Sequence, residues 1–151
     1  MLVVVVHNIY SSVKLSEVFD VVLSFPEVDL FVVSKASSSA AQSGVPETEK
    51  KAFMRGRRVL FVPDINDVNE LLRPDLHLMV VPKRLAKEKL VVNDIRRMLD
   101  EGKTIVVSIA GGDSTFTLKE LEAGKPVHIG FDDILPPSAT LGVILYSLFP
   151  R

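Results

Sequence analysis

Glu49-Lys50-Lys51 carries the Glu-x-Lys spacing with which metal-dependent nucleases set a carboxylate beside an amine on a strand. Here the triplet lies in a polar, helix-prone stretch, a poor setting for that chemistry. Gly111-Gly112-Asp113-Ser114 offers a second opening, since glycine lets a ligand approach bare main-chain amides. It matches neither a P-loop nor a dinucleotide fingerprint, and a plain tight turn accounts for it equally well. His7, His77 and His128 stand alone in sequence, with no metal-ligand spacing linking them, so no metal is expected. Lys50, Lys51, Arg55, Arg57 and Arg58 form one basic cluster, and Lys83, Arg84, Lys87 and Lys89 another. Either could track phosphates, or be a solvated face.

Composition narrows these options. The chain has 151 residues, 47% of them hydrophobic, with a net charge of −1, which suits one domain with a real core. A near-neutral chain lacks the global basic signature of a nonspecific nucleic-acid binder. Without cysteine there is no disulfide, thiolate metal site or cysteine nucleophile. Nothing at the start resembles a signal peptide, so the expected location is the cytoplasm.

The elements that must position these groups alternate. Leu2–Val6, Leu30–Val33, Val59–Val62, Leu76–Val81, Thr104–Ile109 and Lys125–Ile129 read as strands, most of them continuous apolar runs buried on both faces. Ser11–Ser24 reads as a helix, with Leu15, Val18, Phe19 and Val22 on one side. Ser34 to Glu49 is either a loop or a short helix stopped by Gly44 and Pro46. Asp64 is the expected N-cap of a helix through Leu72. Val92, Ile95 and Leu99 share a helix face that ends at Gly102. Such alternation implies an α/β fold, a mainly parallel six-stranded sheet with helices on both faces, in one domain spanning residues 1–151. Ligands are then expected beyond the carboxyl ends of the strands.

Ala139 to Phe149 is apolar nearly all round, with Thr140 and Ser147 as its clearly polar positions. A terminal helix of that kind needs cover on several sides and is too short to span a bilayer. Its own sheet and a second copy of the chain are the expected cover.

In order and spacing the segments resemble the SpoU-type branch of the SPOUT superfamily, RNA methyltransferases with a C-terminal trefoil knot. His7-Asn8-Ile9-Tyr10-Ser11-Ser12-Val13-Lys14 is similar to the family's first motif, with Asn8 matching and Lys14 at the arginine position. Val106-Val107-Ser108-Ile109-Ala110-Gly111 is similar to the second, with Ala110 in place of its glutamate. Ile134 to Tyr146 matches the third in length and register, with Pro136 in place of an asparagine.

The resemblance implies a compact knotted domain, a homodimer packed through the terminal helix, and transfer of methyl from S-adenosylmethionine to a ribose 2′-oxygen of tRNA or rRNA. Carried over by position, the cofactor would meet Val107, Ser108, Ile109, Ala110 and Gly111, then Val127, Ile129 and Gly130, then Ile134, Leu135, Pro136 and Thr140. Asn8 and Lys14 take the catalytic positions, Lys14 on condition that its pKa is pulled well below the usual ~10.4. Lys35, Arg55, Arg57 and Arg58 are the expected RNA contacts. The alternatives are a non-catalytic dimer that binds RNA or a nucleotide, and a metal nuclease using Glu49 and Lys51.

Overall fold

The computed structural model describes all of residues 1–151. The expected strands form a single parallel sheet of β1 (Leu2–His7), β2 (Leu30–Ser34), β3 (Val59–Val62), β4 (Leu76–Val80), β5 (Ile105–Ala110) and β6 (Lys125–Val127), ordered β3-β2-β1-β5-β4-β6. The β5 strand fits between β1 and β4, so the two central strands are the most apolar. In β1 all six residues are buried, as are the first five of β5.

Alternation along the strands builds two unequal cores. Leu2, Val4 and Val6, with Ile105, Val107 and Ile109, face a 26-residue cluster. It is covered by α1 (Ser12–Leu23), α2 (Val45–Arg55), α4 (Val92–Asp100) and α5 (Pro137–Leu148). Val3, Val5, Val32 and Val106 belong to a second cluster of only 10 buried residues, which is capped by its members Ile65 and Val68 of α3 (Ile65–Leu72) and Phe116. The second face is therefore thin, and several of its inward positions, His7, Ser34, His77 and Ser108, carry polar side chains.

The segment expected to stop at Gly44 and Pro46 is instead helical throughout, with a π-turn over Ala40–Gly44 running into α2. Pro46 lies in the first turn of α2, immediately after the π-turn, so the change of helical pitch falls where the missing N–H interrupts the ladder. Gly44 is where the segment touches α1, and a Cβ there would sit 3.0 Å from Leu15 Cδ2. Gly56, left-handed at φ 64°, ends the helix.

The terminal helix is longer than expected, starting at Pro137. Leu141, Ile144, Leu145 and Leu148 are buried against its own domain, so most of the apolar surface is covered from within. Val143 and Tyr146 remain exposed on the outer side. No helix is long and apolar enough to cross a membrane.

Candidate functional site

The period of two along β1 and β2 places His7 beside Val3 and Val5, and Ser34 beside Val32, on the thin face at the strands' carboxyl ends. The two residues are register partners. Ser34 Oγ lies 2.9 Å from His7 Nδ1, which turns Nε2 toward the carboxylate of Glu120. Phe116 stacks on the imidazole with ring centroids 5.7 Å apart. Glu120 opens a 3₁₀ turn, Glu120–Ala123, and its Oε1 accepts from the Thr117 amide at 2.9 Å. Burial alone would raise the Glu120 carboxyl, but the Thr117 amide and His7 outweigh it and hold the pKa below the usual value. Asp64 arrives from the end of β3 as the N-cap of α3, held by the Ile65 amide at 2.7 Å and by a capping box with Asp67. His7, Asp64 and Glu120 thus bring one imidazole nitrogen and two carboxylates within 4.8 Å of one another.

Both strand ends reverse through non-glycine left-handed residues, Asn8 at φ 61° after His7 and Lys35 at φ 55° after Ser34. Such backbone persists only where surrounding bonds hold it. Here the Asn8 amide donates to the Ser34 carbonyl at 2.8 Å and the Lys35 amide to that of Val62 at 3.0 Å. Gly111 closes the turn after β5, where a Cβ would lie 2.7 Å from that of Ile9.

A second polar group lies deeper in the same face. The Asn69 amide nitrogen donates to the Ala123 carbonyl at 2.8 Å, which leaves Asn69 Oδ1 to accept from His77 Nδ1, also at 2.8 Å. His77 Nε2 then accepts from the Ser108 hydroxyl at 2.6 Å, the arrangement of a neutral ring. Burial pushes the His77 pKa down to about 4. Between the unfolded value of 6.5 and about 4, the unfolded chain takes up a proton that the native state refuses, so stability falls as pH falls through that window. The expected loss between neutral pH and about pH 5 is about 2 kcal/mol. His77→Gln should flatten that part of the profile, read from urea midpoints across the range. An unchanged slope would assign the acid sensitivity to other groups.

The residues expected from the sequence are dispersed differently. Lys14 Nζ is paired with Asp113 at 3.0 Å, and that partner raises its pKa. The lowered pKa that proton abstraction by Lys14 requires is therefore absent. Ala110, Ile129, Ile134, Leu135 and Thr140 do line one cleft, together with Thr115 and Val80, of about 400 Å³ counted to its open mouth. Val107, Ser108 and Ile109 are buried within the sheet, and Gly111, Val127, Gly130 and Pro136 stand outside the cleft lining. Lys35, Arg55 and Arg58 are exposed. Arg57 has another task, because its guanidinium donates to the carbonyls of Val22, Leu23, Phe25 and Val28. Glu49 is exposed on α2 and Lys51 is tied to Asp20 at 2.5 Å, so no Glu-x-Lys centre is assembled there. Spacing could not single out His7, Asp64 and Glu120, which are separated by more than fifty residues at each step. The one local signal was His7, a polar residue in the inward register of a buried strand.

The family model described as RecB-family nuclease (DUF2122) matches residues 38–147. Two relatives carry the name "Putative type II restriction enzyme". MjaORF1200P of Methanocaldococcus jannaschii is 32% identical over 142 residues, covering 94% of this chain and 92% of its own. ApeKORF2002P of Aeropyrum pernix is 34% identical over 145 residues, covering 95% and 90%. Among solved structures, a probable methylase family protein from Haemophilus influenzae Rd KW20 superposes with TM-score 0.72 at 11% identity, over 97% of this chain and 62% of its own. An rRNA methyltransferase from Sinorhizobium meliloti does so with TM-score 0.67 at 8% identity, over 97% and 54%. Likeness at that identity establishes the SPOUT-like sheet and helices and nothing of the chemistry. The sequence matches, which cover nearly the whole chain at three to four times that identity, overturn the expected S-adenosylmethionine-dependent RNA methyltransferase. The physical reason lies in the motifs themselves. Lys14, Ala110 and Pro136 replace the family's polar groups, and the matching positions are those that shape the fold.

Proposed function

The chain belongs to the family described as RecB-family nuclease (DUF2122), and from that premise we propose that it hydrolyses phosphodiester bonds of nucleic acid at His7, Asp64 and Glu120. The supporting observation is the convergence of these three side chains at the carboxyl ends of β1 and β3. Glu120, held anionic, accepts a proton from the attacking water as the water oxygen bonds to phosphorus; the P–O ester bond breaks and the departing oxygen takes a proton from solvent. Ser34 and Phe116 fix the plane of His7, and His7 in turn orients Glu120. Exposed Lys35, which follows Ser34 at the same end of the sheet, supplies charge for phosphates. The exposed Arg55 and Arg58 lie further off, before the amino end of β3, where they add to a phosphate contact only along a longer nucleic acid, so binding should weaken as salt rises. The names of the relatives make DNA the first substrate to offer. Duplex DNA, single-stranded DNA and RNA incubated with the purified chain, alongside Glu120→Gln, test the reading. Cleavage by the native chain that Glu120→Gln loses supports it, and intact substrates under all divalent-metal conditions exclude it.

The reading assigns the Ala110–Thr140 cleft no methyl donor. It retains a pairing of two copies through the outer side of α5, on the exposure of Val143 and Tyr146. A monomer by sedimentation at micromolar concentration would remove the pairing and leave the hydrolase reading untouched.

A further inference from the structure

We infer that the cleft at the ends of β4 and β5 seats one unstacked base of the nucleic acid, beside the phosphate attacked at Glu120, so that the substrate is single-stranded where it is cut. The place of the phosphate rests on the hydrolase reading, and that of the base on the cleft alone.

The cleft and the carboxylate site share a wall. Ala110 lines the cleft and is the register partner of His7, on strands that run side by side at about 4.8 Å. Beyond β5, one short segment serves both places. Thr115 lines the cleft, Phe116 stacks on His7, and the Thr117 amide holds Glu120. Places so close are spanned by one nucleotide, whose base and phosphate are joined only through the sugar.

The cleft has the make-up of a ring site. Val81 and Ala110 supply apolar wall, and Phe131 keeps 43% of its surface exposed, which leaves an aromatic ring for a base to stack on. At about 400 Å³ to its open mouth, it lies toward the small end of organic-ligand sites. Two polar groups are set among these walls. The Thr115 hydroxyl oxygen is buried and has no hydrogen-bond partner in the fold, which is costly unless a ligand supplies one. Asp133 brings a carboxylate, which accepts hydrogen bonds and donates none. The pair suits a base with an exocyclic amine, which adenine and cytosine carry and thymine lacks. In a duplex such a base is paired at its edge and stacked on both faces. Taking it out is costly, and least so from a strand that is already single.

Equilibrium binding of end-labelled deoxyadenosine, deoxycytidine and thymidine homopolymers, read by fluorescence anisotropy, tests the inference without any cleavage. The first two should bind about tenfold more tightly than the third, and more tightly than a mixed-sequence duplex of equal length. Ala110→Leu fills the cleft and should remove the preference. Thr115→Val keeps the shape of the side chain, should fold normally, and should reduce the preference severalfold. Asp133→Asn adds donors, so thymidine should gain relative to the other two, whereas a purely electrostatic role would raise all three alike. Equal affinity for the three strands, or a preference unchanged in both Ala110→Leu and Thr115→Val, overturns the base seat. Free deoxyadenosine or deoxycytidine competing as well as the strand also overturns it, by making the cleft a site for free nucleosides. Duplex cleaved as fast as single strand, and as fast again by Ala110→Leu, overturns the seat and leaves the hydrolase reading. A cleft-sensitive base preference in a chain that cuts nothing supports the seat and removes the hydrolase reading instead.

Discussion

Glu120→Gln should lower the rate of phosphodiester cleavage by about 10²–10⁴-fold, with little change in the thermal midpoint. Glutamine keeps the length of the side chain and an oxygen to accept from the Thr117 amide, which now sits 2.9 Å from Oε1. What it loses is the negative charge facing His7 and the capacity to take a proton from water. The side chain is 15% exposed, close enough to solvent for a substrate phosphate to reach and dry enough for the charge to matter. Lys14→Ala is the matched comparison. Lys14 already spends its charge on Asp113, outside the cluster, and its removal should leave cleavage at the native rate. Equal losses in both variants would mean that the rate reports general disturbance of the surface rather than chemistry at Glu120.

Arg57→Ala should destabilise the fold by about 2 kcal/mol, the largest effect expected of any residue in the basic cluster. Val22 and Leu23 are the last residues of α1; the Val22 carbonyl also accepts from the Phe25 amide at 3.1 Å. Arg57 donates to the Val22 and Leu23 carbonyls at 3.2 and 3.4 Å, and to Phe25 and Val28 at 3.1 Å each. It thereby pins the turn between α1 and β2 to the segment entering β3. Alanine leaves the Val22 and Phe25 carbonyls with only their main-chain donors, the Phe25 and Val28 amides, and removes the side-chain donor from Leu23 and Val28. Lysine can satisfy only one or two of these carbonyls from a single ammonium. Arg55→Ala and Arg58→Ala remove exposed charges and should leave the urea midpoint within scatter. The nucleic-acid affinity of the three variants should rank the other way, with the exposed pair mattering more. A native midpoint for Arg57→Ala would show that water replaces the guanidinium at little cost.

Much of the fold was legible because its signals are local. Runs such as Leu2–Val6 and Ile105–Ile109 can only be strands buried on both faces, and their alternation with amphipathic helices calls for parallel pairing. Asp64 as an N-cap was also a local matter, settled by the amides that follow it. Pro46 misled in the other direction. A proline ends a helix it falls within but suits one it begins, and sequence pattern alone did not separate those cases at residues 40–55. The motif resemblance behaved similarly. It was carried by turns and apolar registers that create a shape, so it transferred the shape and misassigned the chemistry.

The amino-acid sequence by itself determined the class of architecture, the absence of cysteine chemistry and the residues able to act as acids, bases or ligands. Only the tertiary structure decided which of them meet. His7, Asp64 and Glu120 come from β1, the β3–α3 turn and a 3₁₀ turn, and they are neighbours because β2 alone separates β1 from β3 and the 113–124 segment folds back over that face. The same packing removed Arg57 from the phosphate-binding set and Lys51 from a Glu-x-Lys pair by giving each a nearer partner. Residue type and local spacing act over a few positions along the chain. A site assembled across more than fifty residues at each step is determined by strand order and by which face each side chain meets, and those are properties of the packed sheet.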